Sequence, residues 1–187
     1  MRNTIIGLAS LAIAGVALSG CSDQAAPEFA ESAAMSDLYE IESGRIAVER
    51  GQSEAIRSFG QKMIDAHSET SGKLKQIVES EDIEVDLPNN LDASHRDMIE
   101  ELEEAEAAEF DEEYAEQQVD AHQAAADIFE DYSEDGEDGA LKDFAGETLP
   151  HIEEHLEEAK QLQDRADEME ESKEGGDQAP PAGDSMQ

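Results

Sequence analysis

The sequence predicts an all-α protein, a bundle of four long helices with a crossover that contains one short helix, and three observations lead there. The 187 residues hold five prolines, no tryptophan and only 4% aromatics, whereas Ala, Leu, Glu and Gln, which favour helix over sheet, abound. Residues 53–81 carry one long amphipathic period, with Ile56, Phe59, Met63, Thr70, Leu74, Ile77 and Val78 on a single stripe at about 100° per residue. The same period returns in two later stretches. No strand is expected, and a single domain of this length can bury a real core.

Residues 1–20 lie outside that domain. Arg2 gives a short basic start, residues 5–18 an apolar run too short to span a bilayer comfortably, and Leu-Ser-Gly-Cys follows at 18–21. This pattern resembles the bacterial lipoprotein signal, in which cleavage leaves Cys21 first in the chain, lipidated on its thiol and acylated on its amine. Cys21 is the only cysteine, and by this resemblance it is a membrane anchor rather than a nucleophile, disulfide or ligand. Ser22, where an aspartate would retain the protein at the inner membrane, resembles the outer-membrane sorting signal. The expected location is therefore the cell envelope, as an outer-membrane lipoprotein facing the periplasm or the surface, with residues 21–31 as a lipidated tether.

Charge narrows the partners. Lys and Arg number 12 against 49 Asp and Glu, a formal net charge of −37 at pH 7. Such a surface repels nucleic acid and anionic membranes and keeps a chain solvated in salty surroundings. Nucleic acid is excluded as a partner, the membrane is reached through the lipid on Cys21, and the sequence names no protein partner.

The bundle domain spans residues 32–171. Its first helix is drawn from about Ser32 to Arg50, with Met35, Leu38, Ile41, Ile46 and Val48 on the inward arc, Glu42 and Arg45 projecting within that arc, and Glu40 pointing away. Gly51 ends this helix and Ser53 caps the next, which makes a tight antiparallel hairpin. In the second helix His67 falls within about 20° of the centre of the apolar stripe, where leucine is the ordinary occupant. A buried ring needs a partner, because an unsatisfied donor or acceptor costs about 1–3 kcal/mol. Glu42 is the carboxylate expected to meet it, with an ion pair to Arg45 as its other fate.

Pro88, Asn89 and Asn90 mark a turn, and a short helix from about Asp92 follows with a thin apolar face of Met98, Ile99, Leu102 and Ala105. It suits a segment lying on the bundle, and His95 upon it reads as a surface residue. The next long helix, about Glu109 to Tyr132, turns Asp111, Ala115, Gln118, Val119, His122, Ala125, Ala126, Phe129 and Tyr132 to one side. The residues Asp-Ala-His at His122 echo those at His67, a faint internal duplication that sets both rings at similar depth, with Asp65 and Asp120 outward. The last helix, about Ala140 to Glu171, is expected to kink or restart at Pro150 with Thr148 as cap. Leu141, Phe144, Ile152, Leu156, Ala159, Leu162, Ala166 and Met169 make its core face, with His155 inside it and His151 at its edge. Residues 172–187 read as a disordered tail.

Three helices thus bring one histidine each to the buried stripe, and the first brings Glu42. Inward side chains at matched depth are how bundles build metal sites, and neutral imidazoles with one carboxylate suit Zn, Fe, Cu or Ni. His151 and His155, at i and i+4, can also present two nitrogens to one ion. Against this stands a depth offset for Glu42 of a turn or more, about 7 Å, and the alternative of a purely hydrogen-bonded core with Tyr114 or Tyr132 as donors.

Four blocks, EIESGRIAVERG at 40–51, FGQKMIDAHS at 59–68, EFDEEYAEQQVDAHQAAADIFE at 109–130 and LKDFAGETLPHIEEHLEEAKQL at 141–162, resemble domain-of-unknown-function family 4142. The resemblance spans about residues 29–162 and implies a ferritin-like bundle in a bacterial exported protein or lipoprotein of the outer membrane. It places Glu42, His67, Phe110, Asp111, Tyr114, His122, Pro150 and His155 at motif positions, and His151 at none. Ferritin-like di-iron sites use Glu-x-x-His, but Ile64, Val119 and Ile152 stand three residues before the histidines, so a mononuclear site is the form left. No nucleophile paired with a base, no phosphate loop and no basic aromatic groove is found; no catalytic residue follows, and an enzyme is not favoured. The expectation is a lipid-anchored envelope protein acting as a binding or interaction module. The alternative is a metal-binding or metal-dependent stress protein with Glu42, His67, His122 and His155 around one transition-metal ion.

Overall fold

The computed structural model describes residues 25–137 and 139–176, with side chains as far as 169. Every regular element among them is a helix: α1 (Ala26–Arg50), α2 (Glu54–Ser80), α3 (Ala93–Glu104), α4 (Phe110–Asp135) and α5 (Ala140–Gly176). The expected leader, Cys21 and residues 177–187 of the expected tail lie outside the described residues. No described helix is long and apolar enough to cross a membrane.

Two hairpins make the body: α1 packs along α2 and α4 along α5, while α1 against α4 and α2 against α5 join the pairs. The first hairpin turns sharply because Gly51 closes α1 with a bond from its N–H to the Ala47 carbonyl (2.9 Å) and the Ser53 hydroxyl accepts from the Ile56 N–H (3.2 Å). Asp111 of α4 grips that turn from outside, accepting from the Gln52 N–H (2.7 Å) and the Ser53 N–H (2.8 Å). Both amides lie just ahead of α2, at its N-cap and the residue before it, so the carboxylate satisfies donors that the helix cannot and sits at the positive end of its dipole. Farther along, Gly44 and Gly60 let the two backbones meet: a Cβ on Gly60 would stand 2.8 Å from the Gly44 carbonyl and 2.8 Å from Ala47 Cβ. The short α3 lies on α1 and α4. Asp92 caps its start, and the Arg50 guanidinium donates to the carbonyls of Leu102, Glu103 and Ala105 at its end, where a cation complements the helix dipole.

Four sequence expectations need correction. α1 starts at Ala26, so residues 26–31 are helix rather than tether; Phe29 and Ala30 there are fully buried, and Phe29 stacks on Tyr132 with ring centroids 4.0 Å apart. The buried face of α1 is Phe29, Ala30, Ala33, Ala34, Asp37, Tyr39, Glu40, Ser43, Gly44 and Ala47, whereas Val48 is exposed and Met35, Leu38, Ile41 and Ile46 are only half-buried. Small residues face α2 because the close Gly44–Gly60 approach leaves no room for large ones. α5 neither stops nor restarts at Pro150: the proline and Gly146, whose carbonyl loses its helical donor, both face solvent, which can bond the freed acceptor. The helix runs on to Gly176, past the expected end at 171, and Met169 is exposed rather than in the core.

Buried apolar residues fall into two clusters. One gathers Phe29, Ala34, Leu74, Ala125, Phe129, Phe144 and Ile152, the other Ala47, Phe59, Met63, Leu102, Phe110, Tyr114 and Ala159. On each long helix a short polar stretch separates the two, and those stretches share one level. Gly60→Ala is expected to cost about 1–3 kcal/mol through overpacking, while Gly72→Ala, on an exposed helical turn with nothing within 4 Å of the new Cβ, should gain about 0.5–1 kcal/mol. Urea unfolding of both variants checks the pair, and equal effects contradict the packing.

Candidate metal centre

The polar level is built by one side of each long helix. α2 contributes His67, α4 His122 and α5 His155, which are 6%, 1% and 7% exposed. Their ring centroids stand 5.8 Å apart for His67 and His122, 5.9 Å for His67 and His155, and 5.5 Å for His122 and His155. One nitrogen from each ring lies within 4.8 Å of the other two. The three histidines singled out from helical phase therefore converge.

Glu42 does not join them. It is exposed on the outer side of α1 and pairs with Arg45 at 3.8 Å. Positions 40 and 42 stand about 200° apart around a helix, so only one can face inward, and the inward one is Glu40, 1% exposed. The partner of His67 is Asp37: its Oδ1 accepts from His67 Nδ1 and from the Thr70 hydroxyl, each at 2.8 Å. Sequence reasoning missed both acids because it phased α1 on its large apolar residues. Depth was the available signal, since Asp37 lies about 14 residues before the Gly51 turn and His67 about 14 after Ser53, the same axial level at 1.5 Å per residue.

The outer nitrogens of two rings are pinned. His67 Nδ1 faces the Asp37 carboxylate, and His122 Nδ1 faces the Gln118 backbone carbonyl at 2.9 Å. Both partners only accept, so each neutral ring carries its proton on Nδ1 and presents a bare lone pair at Nε2. Those two Nε2 atoms and Nδ1 of His155 have no partner among the described residues. Glu40 completes the layer: its Oε1 stands 3.7 Å from His122 Nδ1, and its Oε2 also lacks a partner among the described residues.

Titration follows the surroundings. Burial works against charge on His67, but the Asp37 hydrogen bond and the negative charges of Glu40 and Asp37 outweigh it and hold its pKa above the ordinary imidazole value. Burial lowers His122, with Glu40 opposing and the His67 charge assisting. Burial, with the charges of His122, His67 and Lys62, pushes His155 down to about 3.

The remaining motif residues serve the frame. Phe110 and Tyr114 are fully buried with near-parallel rings 6.2 Å apart, Asp111 holds the α1–α2 turn, and Pro150 faces solvent. His151 is exposed one turn before His155 and outside the triangle. The tyrosines expected to donate to the rings do not: Tyr114 has no partner for its hydroxyl among the described residues, and Tyr132 stacks on Phe29. His95 is half-buried, its ring 5.4 Å from that of Tyr39.

Fold and site together define an all-helical protein with an enclosed cluster of three histidines and two carboxylates. Residues 14–162 match the family described as Domain of unknown function (DUF4142), and the chain belongs to that family. Neither a curated protein nor a solved structure matches it.

Between a pKa of about 3 and the ordinary imidazole value of about 6.5, the unfolded chain takes up a proton that folded His155 refuses, so this residue costs stability as pH falls through that window. His155→Leu should therefore raise the melting temperature of the metal-free protein more at pH 5 than at pH 7.5. Equal shifts at both pH values contradict the depressed pKa.

Proposed function

We propose that this chain is a lipid-anchored envelope protein whose ferritin-like four-helix bundle binds one transition-metal ion between His67, His122 and His155. The observation that carries this reading is the enclosed triangle of ring nitrogens within 4.8 Å of one another, all three rings keeping a nitrogen without a partner among the described residues. An interaction module with a hydrogen-bonded core, the other reading of the sequence, would pair its rings across the core. Here the only cross-helix bond to a triangle ring among the described residues is His67 to Asp37, and one nitrogen of each ring is left unpaired; unpaired buried nitrogens cost about 1–3 kcal/mol each. A metal ion converts that cost into binding.

The dimensions suit the proposal. Imidazole nitrogens around a tetrahedral ion at about 2.0–2.1 Å stand roughly 3.3 Å apart, so ring shifts under about 1 Å would close the triangle and leave a fourth position open. Nitrogen donors without sulfur suit Zn, Fe, Cu or Ni, and the absence of Glu-x-x-His pairs favours one ion over a carboxylate-bridged pair. The net charge of −37 draws cations toward the surface. The apolar run at 5–18 and Cys21 behind it support the lipid anchor and the envelope location.

Chelator-stripped protein without a histidine tag should take up one Zn, Co or Ni ion per chain and melt higher, by about 2.7 kcal/mol of added stability when free metal is 100 times Kd. His122→Ala should abolish the gain. The gain should shrink from pH 7.5 to pH 5.5, because metals need bare imidazoles and His67, its pKa held up, takes a proton first. Unchanged melting with every ion, or a gain that survives His122→Ala, overturns the proposal.

A further inference from the structure

Resting on that metal-binding reading, we infer that Glu40 sets the charge of the ion, so that the centre is built for a divalent cation and discriminates against monovalent copper or silver. Three neutral imidazoles bring no charge, and an enclosed ion whose charge is not balanced nearby carries a heavy desolvation cost. The layer holds two buried carboxylates, Asp37 at 6% and Glu40 at 1% exposure. Together they balance a dication and leave a monocation one negative charge in excess.

The two acids are not equivalent. Asp37 already receives hydrogen bonds from His67 and Thr70. Among the described residues Glu40 has no partner for Oε2, and its one ion-pair neighbour is the His122 ring, 3.7 Å from Oε1. The nearby cation Lys62 is engaged elsewhere, on Glu158 at 2.7 Å and Glu154 at 3.6 Å. A carboxylate so enclosed destabilises the empty fold, and positive charge in the triangle beside it removes that penalty. Glu40 is not among the triangle's converging donors, so it acts through the field rather than as a ligand. Its attraction for an ion scales with the ion's charge, twice as strong for a dication as for a monocation at the same place.

The test titrates the full, chelator-stripped chain with Co(II), read by its visible absorption, and with Ag(I), read by competition. Glu40→Gln keeps the size and removes the charge; it should lower Co(II) affinity by at least about tenfold and Ag(I) affinity by distinctly less. Glu40→Met, which also removes the charge, should give the same change in the ratio and serves if the glutamine variant folds poorly. An unchanged Co(II)/Ag(I) ratio in a folded variant, while wild type still binds Co(II) through His122, overturns the role of Glu40 alone. Wild type that binds neither ion overturns the metal reading with it.

Discussion

Two hydrogen bonds on the far sides of two imidazoles govern this molecule. The Asp37 carboxylate and the Gln118 carbonyl each accept a hydrogen bond from Nδ1 of a histidine, and in the neutral ring that leaves Nε2 as a bare lone pair. Lone pairs gathered in a buried interior repel, and no described residue donates to them. On these unpaired nitrogens rests the proposal that the polar layer takes a positively charged guest.

The rest of the fold holds that layer in place. Apolar clusters lie on either side of it along the helices, the Gly44–Gly60 approach fixes how closely α1 lies on α2, and Asp111 ties the α1–α2 turn to α4. Asp37 on α1 and His67 on α2 meet only when that hairpin is in register. His122 and His155 come from the other hairpin, so the triangle closes only when the two hairpins dock. The buried acids and unpaired nitrogens oppose folding, and the aromatic and aliphatic packing of the two clusters offsets them.

Where hydrophobic period and burial agree, the fold was legible. Ile56, Phe59, Met63, Leu74 and Val78 on α2, Ala115, His122, Ala126 and Phe129 on α4, and Phe144, Ile152, His155 and Leu156 on α5 all sit where the period puts them. On α1 the period misleads, because the residues that matter are Asp37, Glu40, Ser43 and Gly44, and none of them counts as apolar. Phasing on Met35, Leu38 and Ile41 turned the helix so that Glu42 faced inward and Glu40 outward. Polar residues at core positions erase the very signal used to find the core. Pro150 misled in another way: a proline reads as a break, but on a solvent-facing turn it leaves an acceptor that water can satisfy. The histidine triangle could be drawn from one residue on each of three stripes, whereas the pinning of Nδ1 depends on neighbours from α1 and on a backbone carbonyl of α4 that no pattern of letters displays.

X-ray absorption at the metal edge of the zinc- or cobalt-loaded protein tests the central claim most directly. Three imidazole-type nitrogens at about 2.0–2.1 Å, falling to two in the His155→Ala variant, are the predicted result. A first shell of oxygen alone, or one that does not change when a triangle histidine is removed, would place the ion on the acidic surface and contradict the site.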